Sequence, residues 1–427
     1  MIKQYFKQAV WHLRENPVIS WISILGTALS ICMIMVIVIT IRARIADCEP
    51  EINRSRSLYV PNMSYRAKGD TSGSSANSRM SVQTGRECFK ALTTAESVTL
   101  ISQPSKVRAS LPAGAKMTAD MVQTDDAFWK VFSFRFIDGK PFTEADLNSG
   151  LPKAVITVSV ARHLFGHTNA TGQHLELNHV DFQVCGVVAD VSTLATEAYA
   201  QVWIPYTAGN AEAESWGYNL MGKMKAVILA HDKDDFPAIR KECERLRQKY
   251  NDAQDGVEVF YRGQPDTQFV HLYRSWSEVP DIQEVIIRYI TVILVLLVVP
   301  AINLSSMTLS RMRRRMAEIG VRKAFGATKN ELLWQVFVEN LTLTCLAGIL
   351  GLALSYAATF VLNDFLFGNS TNAYFTGETT LTAGTLLSPW IFLIAFAFCL
   401  LMNMLSAGIP AWRTSRMNIV EAINGQF

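Results

Sequence analysis

Four long stretches without a charged side chain constrain this chain of 427 residues more than any other feature of its sequence. They cover Val18–Ile41, Tyr289–Leu309, Leu341–Asn363 and Leu381–Trp412. A helix of about 21 residues is ~32 Å long, enough to cross a hydrocarbon layer of about 30 Å. The sequence therefore predicts an integral membrane α-helical protein with four transmembrane helices.

The distribution of basic residues predicts the orientation. Residues 310–330 contain seven Lys and Arg, whereas residues 364–388 contain none. Because cytoplasmic loops carry the excess of Lys and Arg, residues 310–330 and both termini are placed inside. The first stretch is too long for a signal peptide, and no small-residue cleavage site follows it before Arg42. We expect a multi-pass protein of the bacterial inner membrane with one large extracytoplasmic domain.

These observations divide the chain into nine segments. They are a cytoplasmic interfacial helix 1–17, a first span 18–42, an extracytoplasmic domain 43–283, a second span 284–310, a cytoplasmic segment 311–340, a third span 341–363, an extracytoplasmic loop 364–388, a fourth span 389–412 and a cytoplasmic tail 413–427.

The cytoplasmic segment is predicted to be helical up to a break at Gly326. Thr328 is positioned to cap a second helix, with Glu331 in its first turn. Leu332 and Val336 then share one apolar face, which is typical of an amphipathic helix at a membrane surface. On charge alone, such a segment binds anionic lipid as readily as a protein.

Two pairs of small residues in the spans have the spacing that permits close helix packing. They are Gly26 with Ser30 in the first span and Ala347 with Gly351 in the third.

The region between the first two spans has α+β patterning. Strand-forming runs occur at 107–110, 131–137, 153–158 and 182–189, with further strands near Val227 and Val257. Helical patterns occur at 158–165 and 236–250, and the Gly/Ser-rich residues 64–82 predict a polar loop.

Cysteines and histidines leave alternatives open in this domain. Cys48, Cys88, Cys185 and Cys243 either form two disulfides, with three possible pairings, or remain four free thiols. Histidines cluster at positions 163, 167, 174 and 179. Gly166 is expected to end the helix before His167, which favours exposed loop histidines over a metal site.

Motifs for covalent chemistry are absent from the sequence. It contains no GxxxxGK[ST] phosphate loop, no HExxH and no GxSxG. The four long stretches named above contain no charged residue, which argues against a proton or ion path through the bilayer. We therefore expect a protein that is not an enzyme, with no cofactor in this chain and no nucleic-acid partner.

Residues 318–328 read EIGVRKAFGAT, which resembles the coupling signature EIGxRKALGAT of the FtsX-like permease family. Phe325 stands where that family usually has Leu. The ending PAWRTSRMNIVEAI, from Pro410, resembles PAxRAxRxxPVEAL, with Ile419 in place of Pro. The exported domain is similar to the periplasmic domain of MacB-type macrolide exporters. The similar pieces are DAFW from 126, FSF from 132, GKPF from 139, ARHLFG from 161, GVVAD from 186 and WIPY from 203.

The resemblance implies an ABC transporter permease of the mechanotransmission type (type VII), working as a homodimer or heterodimer with two ATPase subunits. The ATPase is expected on a separate polypeptide, where ATP and Mg²⁺ would bind. By the same resemblance, the exported part has a porter-like lobe with a second lobe inserted near 120–205. The residues implied to couple to the ATPase are Glu318, Gly320, Arg322, Lys323, Phe325, Gly326, Ala327, Thr328, Leu332 and Val336.

Three functional hypotheses follow. The first is a permease that exports or extracts an amphiphilic cargo such as a peptide, drug or lipoprotein. Its further partners would be membrane lipid and a periplasmic adaptor or outer-membrane component. The second is a non-transporting mechanical regulator of a cell-wall hydrolase. The third, a ligand-binding membrane receptor, leaves residues 318–340 without a role. The sequence names no cargo, because pockets are formed by loops rather than by the fold.

Overall fold

The computed structural model describes residues 17–70, 74–112, 114–276, 278–314 and 328–367, with single helical positions between Trp390 and Met404. The chain divides into two compact units. The first comprises Met1–Ile41, Gln283–Leu366 and Leu386–Phe427, and the second comprises Arg42–Ile282 and Phe367–Thr385.

The first unit contains the long helices of the chain, and the second unit contains shorter ones. Within the described residues, the helices are α1 Pro17–Ile45, α2 Val82–Gly85 (continued by a π-helical turn at Arg86–Lys90), α3 Phe128–Val131, α4 Glu144–Asn148, α5 Val158–Phe165, α6 Phe236–Asp252, α7 Gln268–Tyr273, α8 Ile282–Arg314, α9 Lys329–Val361 and α10 Asn363–Phe367.

Two helices of the described chain are long and apolar enough to cross a membrane, over Ser20–Ile45 and Leu341–Val361. They coincide with the first and third predicted spans. The second predicted span lies within the unbroken helix α8. Most of the fourth, 389–412, lies outside the described residues. The total of four spans therefore stays a prediction.

The second unit contains one extended sheet with helices packed on it, so the predicted mixed domain is confirmed. Its described strands are β1 Ser57–Val60, β2 Met63–Ala67, β3 Ala76–Met80, β4 Ser97–Ser102, β5 Ser105–Ser110, β6 Lys116–Thr124, β7 Phe136–Gly139, β8 Lys153–Thr157, β9 His174–Leu177, β10 Val180–Val188, β11 Val202–Pro205, β12 Met221–Gly222, β13 Met224–Leu229, β14 Val257–Phe260 and β15 Asp266–Thr267.

The strands of this unit form two lobes within the one sheet, and the lobes are joined where β4 pairs with β6, with Ile101 opposite Thr124. In the first lobe the fully buried strand β13 pairs antiparallel with β1 on one side and β4 on the other. In the second lobe β5, β6, β11, β8, β10 and β9 pair in a closed circuit, because β11 pairs with both β6 and β8. Each lobe has an apolar core, of which the second runs from Val107 to Ile204, and a third core that includes Tyr59, Val227 and Trp203 is shared by both lobes. The inserted lobe was expected near 120–205.

Residues 64–82 do not form a single polar loop, as the sequence had suggested. Strands β2 and β3 pair antiparallel, with Ser64 opposite Asn77. The side chains of these two residues hydrogen bond to each other. Polar composition concealed the strands because their pairing is made by the backbone and continues onto β14.

The strand predicted at 131–137 is also wrong over most of its length. The chain forms the helical turn α3 and enters a strand only at Phe136. Trp129 and Phe134 pack edge-on with ring centroids 5.1 Å apart, and both contact Trp203. Aromatic packing between distant segments overrides the local strand preference here.

Candidate functional site

The residues assigned to ATPase coupling lie between positions 318 and 336. Thr328, Leu332 and Val336 belong to the described chain, at the start of α9. The others lie outside the described residues; they are Glu318, Gly320, Arg322, Lys323, Phe325, Gly326 and Ala327.

Thr328 begins α9 with a reciprocal cap. Its hydroxyl oxygen accepts a hydrogen bond from the Glu331 backbone N–H at 3.3 Å, and its own N–H donates to the Glu331 carboxylate at 2.8 Å. These two bonds satisfy backbone donors that a helix start otherwise leaves unpaired. The helix then continues unbroken to Val361, so that positions 332 and 336 share one face.

The small residues of the third span lie where α9 meets α1. Ala347 is fully buried in a cluster with Ile24, Ala28 and Leu343. A Cβ atom added at Gly351 would lie only 2.7 Å from the Ala28 carbonyl oxygen. The two helix backbones therefore approach each other so closely that a side chain at position 351 does not fit. In α1, the Ser30 hydroxyl donates to the Gly26 carbonyl at 3.0 Å.

A buried set of polar side chains surrounds the end of α1, and sequence analysis did not identify it. We call this set, Glu51, Arg54, Glu197, Lys225, Gln268 and His271, the helix-end network. Every member belongs to the second unit.

Arg54 is the centre of the network and is only 2% exposed. Its Nη1 donates to the carbonyls of Ala43 and Ala46, at 3.1 and 3.0 Å. Its Nη2 donates to the Leu194 carbonyl at 2.5 Å, and its Nε donates to the Glu51 carboxylate at 2.6 Å. One guanidinium thus joins the end of α1 to a segment 140 residues away along the chain.

Glu51 and Glu197 extend the network. The second Glu51 oxygen accepts hydrogen bonds from the backbone N–H groups of Glu197 and Ala198, at 2.8 and 2.9 Å. The Glu197 carboxylate pairs with Lys225 Nζ at 2.6 Å and His271 Nε2 at 3.0 Å. Gln268 makes a separate contact with the end of α1, because its side-chain amide donates to the Arg44 carbonyl at 2.8 Å.

Electrostatics favour the charged forms of Arg54 and Glu197. Burial opposes ionisation of Arg54, but the Glu51 carboxylate outweighs it and raises the pKa of Arg54 above its ordinary value. For Glu197, burial raises the pKa, whereas Lys225 and His271 lower it, and the net pKa lies well below the ordinary value. The network therefore contains two buried ion pairs, Arg54 with Glu51 and Glu197 with Lys225.

Three of the four clustered histidines contact a neighbouring residue, and the four cysteines of the domain are not paired with one another. His163, His167 and His174 contact Lys116 O, Gln173 and Asp181 respectively, and the described residues contain no group of three metal-ligating side chains. Gly166, with φ +81°, caps α5. The four cysteines of the domain are free thiols, at positions 48, 88, 185 and 243. Burial raises the pKa of Cys88 and of Cys243 to about 12.

A polar cleft of about 580 Å³ lies in the second unit, with Arg86, Lys90 and Lys130 in its lining. Acidic side chains line it as well, among them Glu96 and Asp126. Lys90 Nζ is paired with Asp125 at 2.9 Å. The mixture of charges indicates no particular ligand.

Comparison with known families agrees with this architecture. The sequence matches the MacB-like periplasmic core domain over residues 20–246 and the FtsX-like permease C-terminal over residues 290–419. The first match alone covers more than half of the chain. The chain belongs to the MacB/FtsX-like family of ABC transporter permeases, and it is a membrane protein with an extracytoplasmic domain.

Three similar proteins are each less than 25% identical to this chain. The uncharacterized ABC transporter permease YknZ of Bacillus subtilis is 22% identical over 299 residues, covering 70% of this chain and 68% of YknZ. The macrolide export ATP-binding/permease protein MacB of Bdellovibrio bacteriovorus is 24% identical over 67% of this chain and 41% of its own length. The pyoverdine export ATP-binding/permease protein PvdT of Pseudomonas savastanoi is 24% identical over 71% of this chain and 42% of its own length. This chain thus spans about two fifths of MacB and PvdT.

Among solved structures, the extracellular domain of YknZ aligns with 47% of this chain and 99% of that domain, at 15% identity and a TM-score of 0.34. The family assignment rests on the sequence matches.

Proposed function

We propose that this chain is a permease subunit that couples ATP hydrolysis by a separate ATPase subunit to a conformational change of its extracytoplasmic domain. The observation that carries the proposal is the FtsX-like match over residues 290–419, which includes the EIGVRKAFGAT motif at 318–328. In this mechanism the ATPase binds residues 318–340, ATP and Mg²⁺ bind the ATPase, and two permease chains pair in the bacterial inner membrane. The chain itself catalyses no reaction.

The proposed output is export or extraction of an amphiphilic cargo. Support comes from the relatives, two of which are described as exporters of macrolide and of pyoverdine. Mechanical transmission, rather than a pore through the bilayer, is favoured by the four sequence stretches without charged residues. The further partners proposed for this mechanism are membrane lipid and a periplasmic adaptor or outer-membrane component.

Charge reversal in the coupling motif tests the proposal. The chain is co-expressed with the ATPase encoded beside its gene, and the complex is purified in lipid nanodiscs. Arg322→Glu combined with Lys323→Glu is expected to abolish co-purification or to lower ATPase activity at least about tenfold, because two cations that face the ATPase become anions. Lys233→Glu, an exposed change in the extracytoplasmic domain, is the control and leaves activity unchanged.

Two results would contradict the proposal: wild-type chain that never associates with an ATPase, or ATPase activity that is untouched by the double charge reversal. Association and hydrolysis without any cargo movement, but with activation of a cell-wall hydrolase, would favour the mechanical regulator instead.

A further inference from the structure

We propose that the helix-end network is the mechanical joint through which movement of α1 reaches both lobes of the extracytoplasmic domain, with Arg54 and Glu51 as its positioning residues. This inference rests on the proposed function and deepens it, because it names where the displacement enters the domain.

The first step is the grip on the helix. Carbonyls in the last turn of a helix have no partner within the helix. Arg54 binds one of these carbonyls, on Ala43, and also the carbonyl of Ala46, the residue that follows the helix, and Gln268 binds the helix carbonyl of Arg44. A cation at this end also interacts favourably with the helix dipole. Movement of the end of α1 therefore pulls directly on these two side chains.

The second step is the connection to the second lobe. The Leu194 carbonyl accepts from Arg54, and the N–H groups of Glu197 and Ala198 donate to Glu51. Residues 194–198 lead into β11, which pairs with β6 and β8 in the closed circuit of that lobe. A shift of Arg54 thus acts on a strand of the second lobe through a few bonded atoms.

The third step is the connection to the first lobe. Lys225 lies on β13, the strand between β1 and β4, and its ammonium pairs with Glu197. His271 lies on α7, stacks on the Tyr59 ring of β1 with centroids 4.7 Å apart, and bonds the same carboxylate. The helix α7 precedes α8 in the chain. Glu197 belongs to the 194–198 segment that Arg54 holds. Its carboxylate therefore connects that segment to β13 through Lys225 and to α7 through His271.

The chemistry of the network fits a joint better than a stabilising core. A buried ion pair adds little stability compared with apolar side chains of the same size. A guanidinium, in contrast, fixes directions, because its donors lie in one rigid plane. Four directed bonds on one 2%-exposed side chain hold the helix end, the 194–198 segment and Glu51 at defined angles.

Hydrogen–deuterium exchange on the full chain in complex with its ATPase in nanodiscs tests the joint. Exchange of peptides covering 194–198 and 268–273 is compared between the nucleotide-free and the ATP–vanadate-trapped complex. In wild type, trapping is expected to change exchange in these peptides several-fold. Arg54→Lys keeps the positive charge but removes the planar guanidinium that makes the four hydrogen bonds. Gln268→Leu removes the donor to the Arg44 carbonyl at little risk to folding. Both variants are expected to lose at least half of the change while ATP hydrolysis continues.

Glu242→Gln is the matched control, because Glu242 is a buried carboxylate outside the network. It is expected to keep the wild-type response. The inference is overturned if either network variant, folded and hydrolysing ATP, responds to trapping as wild type does, or if Glu242→Gln loses the response to the same extent. A wild-type complex with no response at all contradicts the proposed function itself, and a chain that binds no ATPase does the same.

Discussion

Glu242 shows how a single buried carboxylate ties two segments of the first lobe together. From α6, its oxygens accept hydrogen bonds from the Thr93 and Thr94 N–H groups at 3.1 and 3.0 Å, and from their hydroxyls at 2.8 and 2.7 Å. Burial raises the pKa of Glu242, but these bonds outweigh it and bring the pKa down to about 2. The carboxylate is therefore bound more tightly than the protonated acid.

This pKa predicts a pH-dependent contribution to stability. A group whose pKa is depressed on folding stabilises the protein above its unfolded-state pKa, near 4.3, and loses that contribution as the pH falls towards 2. Glu242→Gln is expected to lower the free energy of unfolding by about 2 kcal/mol at pH 7. The difference in free energy of unfolding between Glu242→Gln and wild type should become smaller below about pH 4. Urea titrations in detergent at several pH values measure it, and exposed Glu278→Gln is the control. A difference in free energy of unfolding that stays constant down to pH 2.5 would contradict the lowered pKa of Glu242.

At the level of whole elements, the contact between α1 and α9 depends on the lack of a side chain at Gly351. At Gly351 an added Cβ would meet backbone, the Ala28 carbonyl oxygen at 2.7 Å. At Gly348, three positions away, it would meet the Phe396 ring at 2.8 Å. Backbone in a packed helix yields little, whereas an aromatic ring can rotate about its side-chain bonds.

Alanine at these two positions should therefore behave differently. Gly351→Ala is expected to destabilise the chain by about 1–3 kcal/mol, because the helices must separate. Gly348→Ala should destabilise the chain less than Gly351→Ala, since only a side chain must move and alanine favours the helix. Thermal unfolding of both purified variants in detergent measures the difference. Equal melting temperatures for the two variants would show that the helices do not pack at Gly351 as described.

Elements with a strong local pattern could be predicted from the sequence. Strand β8 and helices α5 and α6 lie within two residues of the predicted ranges. The hairpin of β2 and β3 was missed, since its polar residues show no alternation and its partners are distant strands. The aromatic segment after α3 was misread because its conformation is decided by contacts with Trp203.

At the level of the whole molecule, the two candidate sites differ in how visible they are in the sequence. The coupling motif is contiguous, so eleven adjacent residues carry its signal. The helix-end network joins residues separated by up to 224 positions. Its charged members resemble ordinary surface residues until the fold buries them. Glu51 and Arg54, three residues apart and opposite in charge, are a local hint of the network.

The predicted orientation of the molecule can be tested on intact cells. In a background whose seven cysteines are replaced, Tyr218→Cys, at a side chain that is 72% exposed, is expected to react with a membrane-impermeant maleimide added outside. Lys323→Cys should react only in inside-out vesicles, because basic loops remain in the cytoplasm. Labelling of position 323 from outside would reverse the topology and remove the basis for ATPase coupling.

The burial of Arg54 against Glu51 also restricts how this protein can change over evolutionary time. Losing either partner alone leaves an uncompensated charge in a dry interior, which costs about 3–5 kcal/mol. Replacing both with apolar residues is tolerated far better. Descendants of this gene can therefore leave the Arg–Glu solution only by paired changes, so substitutions at positions 51 and 54 should covary across its lineage rather than drift independently.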